Sequence, residues 1–181
     1  MIAEEINLKG CFVLTPKVFE DERGYFFENF NKKDFEKQTG IITNFVQDNL
    51  SKSDKGVLRG LHFQTGNFEQ SKLVSVLRGK VLDVCVDIRR DSSTFGEYFS
   101  VVLDEFNHKQ LYIPKGFAHG FLVLENNTIF SYKCDNFYNR VSESGIIYND
   151  ETLNIDWSFF SKNLIVSNKD KVLPTFKSLF H

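Results

Sequence analysis

From Val57 to Cys134 the chain reads as one short alternating run after another, each closed by a glycine, asparagine or serine turn. This pattern limits the fold more than any other feature. Residues 81–88 show it best: Val81, Asp83, Cys85 and Asp87 alternate with Leu82, Val84, Val86 and Ile88, and the second set reads as a core face. Similar runs cover 57–64, 72–77, 98–103, 110–113, 120–124 and 128–134. Arg78-Gly79-Lys80 reads as a tight hairpin, and Asn126-Asn127 as a turn. Upstream, 10–15, 25–30 and 45–50 read as strands, 19–24 as a turn, 51–56 as a loop, and 32–37 as the best helical stretch. Short helical pieces are expected from about Ser161. Many short strands with almost no helical periodicity predict an all-β protein, a barrel or double-sheet jelly roll. No repeat, low-complexity tract or linker divides the sequence, so residues 1–181 are expected to form one domain.

Twenty phenylalanines against a single tryptophan suit a sheet-rich core and supply rings on which a planar base could stack. The formal net charge of −2 offers no global basic field for nucleic acid, so an anionic ligand would need a local basic patch. Cys11, Cys85 and Cys134 are odd in number and widely spaced, which indicates neither a disulfide framework nor a cysteine zinc site. The acidic start Met1-Ile2-Ala3-Glu4-Glu5 has no apolar leader, and no stretch approaches a membrane span. A cytoplasmic protein with no membrane partner is expected.

Chemistry concentrates in Val57-Leu58-Arg59-Gly60-Leu61-His62-Phe63-Gln64 and in Lys72, at the head of the next run. Arg, His and Lys are costly inside a sheet unless a partner or ligand meets them. If all three face one cavity, that cavity is cationic and holds a base that titrates near neutral pH. The same residues would equally suit a solvated face and a satisfied core histidine. On a flat strand Arg59 and His62 point to opposite faces, so a shared cavity requires a bulge or strong twist at Gly60. A second histidine, His119, follows the compact turn Pro114-Lys115-Gly116. His108 lies in a polar turn and His181 is terminal. Two histidines without a third donor at suitable spacing do not make a metal site, and a metal-free histidine is available as a general base.

Pro114-Lys115-Gly116-Phe117-Ala118-His119 resembles the second motif of the cupin superfamily, whose fold is the jelly roll. With Asp21-Glu22-Arg23-Gly24-Tyr25-Phe26, Phe45-Val46-Gln47-Asp48-Asn49, the Val57–Gln64 segment, Tyr132-Lys133-Cys134-Asp135-Asn136-Phe137-Tyr138, Ile155-Asp156-Trp157 and Ser167-Asn168-Lys169-Asp170, the chain resembles the dTDP-4-dehydrorhamnose 3,5-epimerase family of metal-independent cupins. The likeness runs from Gly10 to Phe176 and departs at Tyr148 and Glu151, where the family usually has tryptophan and proline.

The resemblance implies epimerisation of dTDP-4-dehydro-6-deoxy-D-glucose at carbons 3 and 5, with no cofactor and no metal. By similarity His62 is the base, Asp170 its orienting partner, Lys72 the group that stabilises the enolate oxygen, and Tyr132 the acid. A phenol in that role would need help from nearby cations. Arg59 and Arg23 would hold the pyrophosphate. Glu28, Gln47, Asp48, Asn49, His119, Glu143 and Lys169 would be further ligand contacts, and Tyr138 would stack on thymine. The family also implies a homodimer in which Arg23 and Glu28 could serve the neighbour's site. A 3,5- or single-site epimerase acting on a 4-keto sugar carried by another nucleotide, a 3,4-ketoisomerase, a non-catalytic nucleotide-sugar binding module and a metal-dependent oxygenase cupin are the other readings open at this point.

Overall fold

The computed structural model describes residues 1–157 and 163–180. The first part supplies β1 (Ile2–Glu5), β2 (Phe12–Thr15), β3 (Phe19–Asp21), β4 (Gly24–Phe26), α1 (Lys32–Thr39) and β5 (Gln47–Ser53). Next come β6 (Val57–Gln64), β7 (Lys72–Arg78), β8 (Lys80–Asp87), β9 (Tyr98–Asp104), β10 (Gln110–Ile113), β11 (Phe117–Val123) and β12 (Thr128–Cys134). β13 (Glu143–Gly145), β14 (Ile165–Val166) and α2 (Phe176–Phe180) follow. Two sheets, ordered β1-β2-β10-β7-β12-β5 and β13-β6-β11-β8-β9, make a mostly antiparallel, double-sheet, jelly-roll-like arrangement.

The expected hairpin at Arg78-Gly79-Lys80 does not exist. β7 pairs with β10 and β12 in the first sheet, whereas β8 pairs with β11 and β9 in the second. Gly79 is the corner at which the chain changes sheets. Its φ is +79°, and a Cβ there would lie 2.3 Å from the Thr128 hydroxyl, so only glycine fits the crossing.

The expected core face of β8 is buried, and so is the opposite face. Val81 and Cys85 join Val74, Leu111 and Phe130 in the core between the sheets. Leu82, Val84 and Val86 face outward and are covered by Ile146, Leu153, Trp157, Val166 and Phe176. Both faces are buried because the C-terminal segment forms a third layer, so alternation alone does not identify the interior. On the outside of the first sheet, Phe35 of α1 packs on Phe12, Leu14, Leu73 and Tyr112. That helix is capped at Asn31, whose side chain accepts from the Asp34 N–H, and ends at left-handed Gly40.

Other boundaries shift. Residues 19–26 form an exposed hairpin, β3–β4, rather than a turn followed by a strand from 25 to 30. β5 runs to Ser53, through half of the expected loop, because β12 supplies partners to Ser51, Lys52 and Ser53. β11 begins at Phe117, ahead of the expected start at Gly120. The C-terminal helical pieces are a 3₁₀ turn at Asp170–Val172 and α2; Ser161 and His181 lie outside the described residues. Among the described residues no helix is long and apolar enough to cross a membrane.

Candidate active site

A cavity of about 470 Å³ opens between the sheets. Arg59 and His62 reach it from β6, His119 from β11, Lys72 from β7, Tyr132 from β12 and Ser51 from β5; Ser167, Lys169 and Asp170 come from the C-terminal layer. The parity conflict between Arg59 and His62 is resolved by a bulge. β11 pairs His119 with His62 and Phe121 with Arg59, so three steps along β6 match two along β11. One extra residue in β6 turns both side chains to the same side. Gly60 lies within this bulge with φ +115°, where a Cβ would fall 2.6 Å from the Gly120 Cα. Glycine at 60 and 120 allows the two backbones to approach.

His62 Nε2 lies 2.7 Å from Asp170 Oδ1. The carboxylate accepts the Nε2 proton, which leaves the lone pair of the neutral ring on Nδ1. Asp170 is buried, and its other oxygen accepts from the Gly60 N–H at 3.4 Å. The Asp170 N–H donates to Ser167 Oγ at 3.0 Å. Burial alone would raise this carboxyl, but the bonds from His62 and Gly60 hold it below the ordinary carboxylate value. It is therefore anionic at neutral pH.

A second pair lies alongside. His119 Nε2 is 3.0 and 3.1 Å from the two oxygens of Asp83, and both residues are buried. Burial lowers the His119 pKa, outweighing the pull of Asp83, and positive charge on Lys72 and His62 pushes the same way. Asp83 carried no assignment in the sequence reading. Its signal was a carboxylate in the middle of the apolar run 81–88.

Lys72 and Tyr132 come from neighbouring strands of the first sheet, where Tyr132 lies opposite Val74, and Lys72 opposite Cys134. Burial lowers the Lys72 pKa, against the pull of Cys134, Asp83 and Glu143. Burial raises the Tyr132 phenol; Arg59 acts in the other direction and does not prevail. The expected cationic assistance is thus present but outweighed, and the phenol stays protonated at neutral pH.

Glu143, Tyr138, Gln47 and Asn49 do not line the cavity themselves; Glu143 reaches it through Lys169, and binds both Lys169 and the Tyr138 hydroxyl, the latter at 2.9 Å. Burial alone would raise Glu143, but these two partners lower it. Gln47 and Asn49 share one face of β5, with the Gln47 Nε2 donating to Asn49 Oδ1 at 3.0 Å, and Gln47 Oε1 accepts from the Tyr138 N–H. Asp48 departs from the expectation. It points to the opposite, exposed face and pairs with Lys133 at 2.9 Å, so its side chain does not serve this cavity. Arg23 and Glu28 are not in the cavity wall either. Arg23 is on the exposed β3–β4 hairpin, paired with Asp21, and Glu28 accepts from Asn31 at 3.1 Å. Tyr148 and Glu151, the two departures from the family pattern, lie away from the cavity wall. Tyr148 packs on the outer layer, with its carbonyl accepting from Trp157 Nε1, and Glu151 is exposed. Among the described residues no group of three or more His, Cys, Asp or Glu side chains is arranged to hold a metal ion.

Comparison with known proteins identifies relatives of the chain. The family model described as dTDP-4-dehydrorhamnose 3,5-epimerase matches residues 5–178. The dTDP-4-dehydrorhamnose 3,5-epimerase of Escherichia coli K12 is 50% identical over 173 residues, covering 96% of this chain and 93% of that protein. The crystal structure of the enzyme of that name from Elizabethkingia anophelis is 51% identical with a TM-score of 0.93, over 99% of this chain and 98% of the other. A Legionella pneumophila 3,5-epimerase solved with dTDP-4-keto-L-rhamnose is 46% identical with a TM-score of 0.91, over 96% of this chain and 91% of the other. With the match spanning nearly the whole length and the paired histidines set in a double-sheet cavity, the chain belongs to the dTDP-4-dehydrorhamnose 3,5-epimerase family.

Proposed function

We propose that this protein inverts carbons 3 and 5 of dTDP-4-dehydro-6-deoxy-D-glucose to give dTDP-4-dehydro-L-rhamnose. The ketone at carbon 4 makes the hydrogens on both neighbouring carbons acidic. His62, oriented by Asp170, removes each proton in turn, and the resulting imidazolium is stabilised by the carboxylate. The electron pair moves onto the ketone oxygen as an enolate beside the Lys72 ammonium. Tyr132 then donates its proton to the opposite face of the carbon, and the enolate collapses to the ketone with inverted configuration. Solvent returns a proton to Tyr132 and takes one from His62. Only proton transfers are involved.

The observation that carries this reading is the placement of acid and base: His62 projects from the second sheet and Tyr132 from the first, on opposite walls of one cavity. Inversion needs that arrangement, since a base and an acid on one wall would return the proton to the face it left. His119, held neutral by burial with its Nε2 proton given to Asp83, is suited to accept a ligand hydrogen bond at Nδ1 without competing for the substrate's proton. Arg59 supplies the fixed charge for the diphosphate. Gln47, Asn49, Tyr138, Glu143 and Lys169 take the remaining ligand contacts.

Arg23 and Glu28 are assigned to the cavity of a second copy in a homodimer. The exposure of the β3–β4 hairpin, and the fact that neither Arg23 nor Glu28 lines the cavity of its own chain, support that assignment. The test is turnover of the 4-keto substrate in deuterated water, read by mass and NMR. Deuterium at both carbon 3 and carbon 5 is expected. Label at one carbon alone would make the protein a single-centre epimerase, and isomerised product without inversion at carbon 5 would make it a ketoisomerase.

A further inference from the structure

Most polar side chains in the cavity wall already have a partner in the chain. His62 holds Asp170, His119 holds Asp83, Lys169 holds Glu143, and Ser167 accepts from the Asp170 N–H. Arg59 donates to Ser53 Oγ, with Nη2 at 3.1 Å and Nε at 3.4 Å. The Ser51 hydroxyl differs: its oxygen has no exposed surface and no hydrogen-bond partner among the described residues. Buried hydroxyls left unpaired are uncommon, and each asks for a reason.

Its position suggests the reason. The inner face of β5 presents Gln47, Asn49, Ser51 and Ser53, which lie opposite Cys134, Tyr132, Phe130 and Thr128 of β12. Ser51 therefore sits one row from Tyr132 and one row from Ser53, the residue that holds Arg59; each row is about 7 Å along the strand. Phe130, its direct neighbour across the strands, offers no polar atom. A change between staggered χ1 wells would carry the hydroxyl toward the cavity, and there it can donate to an anionic oxygen that Arg59 also attracts.

We infer that Ser51 is a further substrate-binding residue, whose hydroxyl donates to a phosphate oxygen of the nucleoside diphosphate. This rests on the epimerase reading above, but its test does not depend on turnover. Calorimetric titration with dTDP, which lacks the sugar, is compared among the wild type, Ser51→Ala and Ser51→Thr. Loss of one hydrogen bond to a charged oxygen is expected to raise the dTDP Kd about tenfold in Ser51→Ala. KM for the sugar nucleotide should rise in parallel, with kcat within about twofold, because a contact made equally in the ground and transition states affects binding alone. Ser51→Thr keeps the hydroxyl and should bind dTDP close to the wild type. Without ligand, Ser51→Ala should melt no lower than the wild type, since it removes an unpaired group.

Unchanged dTDP affinity in Ser51→Ala overturns the inference, whether or not kcat falls. Equal loss in the Ala and Thr variants, or a lower melting temperature in Ser51→Ala, would make Ser51 a packing residue and also overturn it. A wild type that binds dTDP but does not turn over the 4-keto substrate would defeat the epimerase reading and leave the Ser51 result standing on its own.

Discussion

The pairs His62–Asp170 and His119–Asp83 use the same two residue types on adjoining strands, with the two histidines directly in register. They differ in what covers them. The His62 side chain is 30% exposed to the cavity and its aspartate 5%, whereas the second pair is sealed at 7% and 0%. Asp170 arrives from the C-terminal layer, about a hundred residues away in sequence, while Asp83 comes from the neighbouring strand β8. One ring is open to the cavity and rests against an anionic support. The other is kept neutral because burial disfavours its charge. In the mechanism proposed above, access to ligand, rather than residue identity, separates the proton carrier from the fixed hydrogen-bonding wall.

Substitutions can break this contrast, and the largest effect is expected at His62. His62→Ala should lower kcat about a thousandfold with little change in dTDP affinity, measured by product formation and calorimetry. Asp170→Asn should lower kcat about a hundredfold, since the ring loses its anionic partner but keeps its place. If either variant retained wild-type turnover, the two pairs would have no difference in role.

The sealed pair should respond in stability instead. Asp83→Ala leaves a buried imidazole without its partner and should cost about 3 kcal/mol in urea unfolding. Its effect on kcat should be smaller than that of Asp170→Asn. Because the folded-state pKa of His119 lies below its unfolded value, His119 stabilises the fold fully above the unfolded value. That contribution is lost as pH falls from about 6.5 toward the folded value. Urea melts at pH 7 and pH 5 should therefore show a larger loss for the wild type than for His119→Gln. An equal loss would mean that some other group dominates the acid limb.

Asp48→Ala is the comparison outside both pairs. Its carboxylate is on the exposed face with Lys133, so stability should change by about 0.5 kcal/mol or less and kcat by less than about twofold. A large kinetic effect would return Asp48 to the ligand site.

The strand pattern and the turn residues were legible in the sequence because side-chain period and glycine conformation are local properties. The alternation of residues 81–88 did identify a strand and a buried apolar face, yet it did not show that the opposite face, with Val81 and Cys85, is buried as well. A strand buried on both sides has no polar face to give its orientation away, and the covering layer from Ile146 to Phe176 is distant in sequence. Gly79 was read correctly as a sharp turn but not as a sheet change, because the same left-handed φ serves both. His62 and Lys72 stood out as charged or titratable groups in apolar runs, Tyr132 and Asp170 became candidates through the family resemblance, and all four line one cavity. Ser51 and Asp83 were missed: a serine in a strand carries no local signal, and a single carboxylate in an apolar run does not say what it binds.

By itself the sequence determined an all-β, jelly-roll-like protein and the cationic character of the segment Val57–Gln64. Whether Arg59 and His62 share a cavity was decided only in three dimensions. Strand parity separates them, and the extra residue of β6 opposite β11 brings them back together. That bulge depends on two glycines from distant strands fitting against each other, a contact between backbones that the local pattern of neither strand contains.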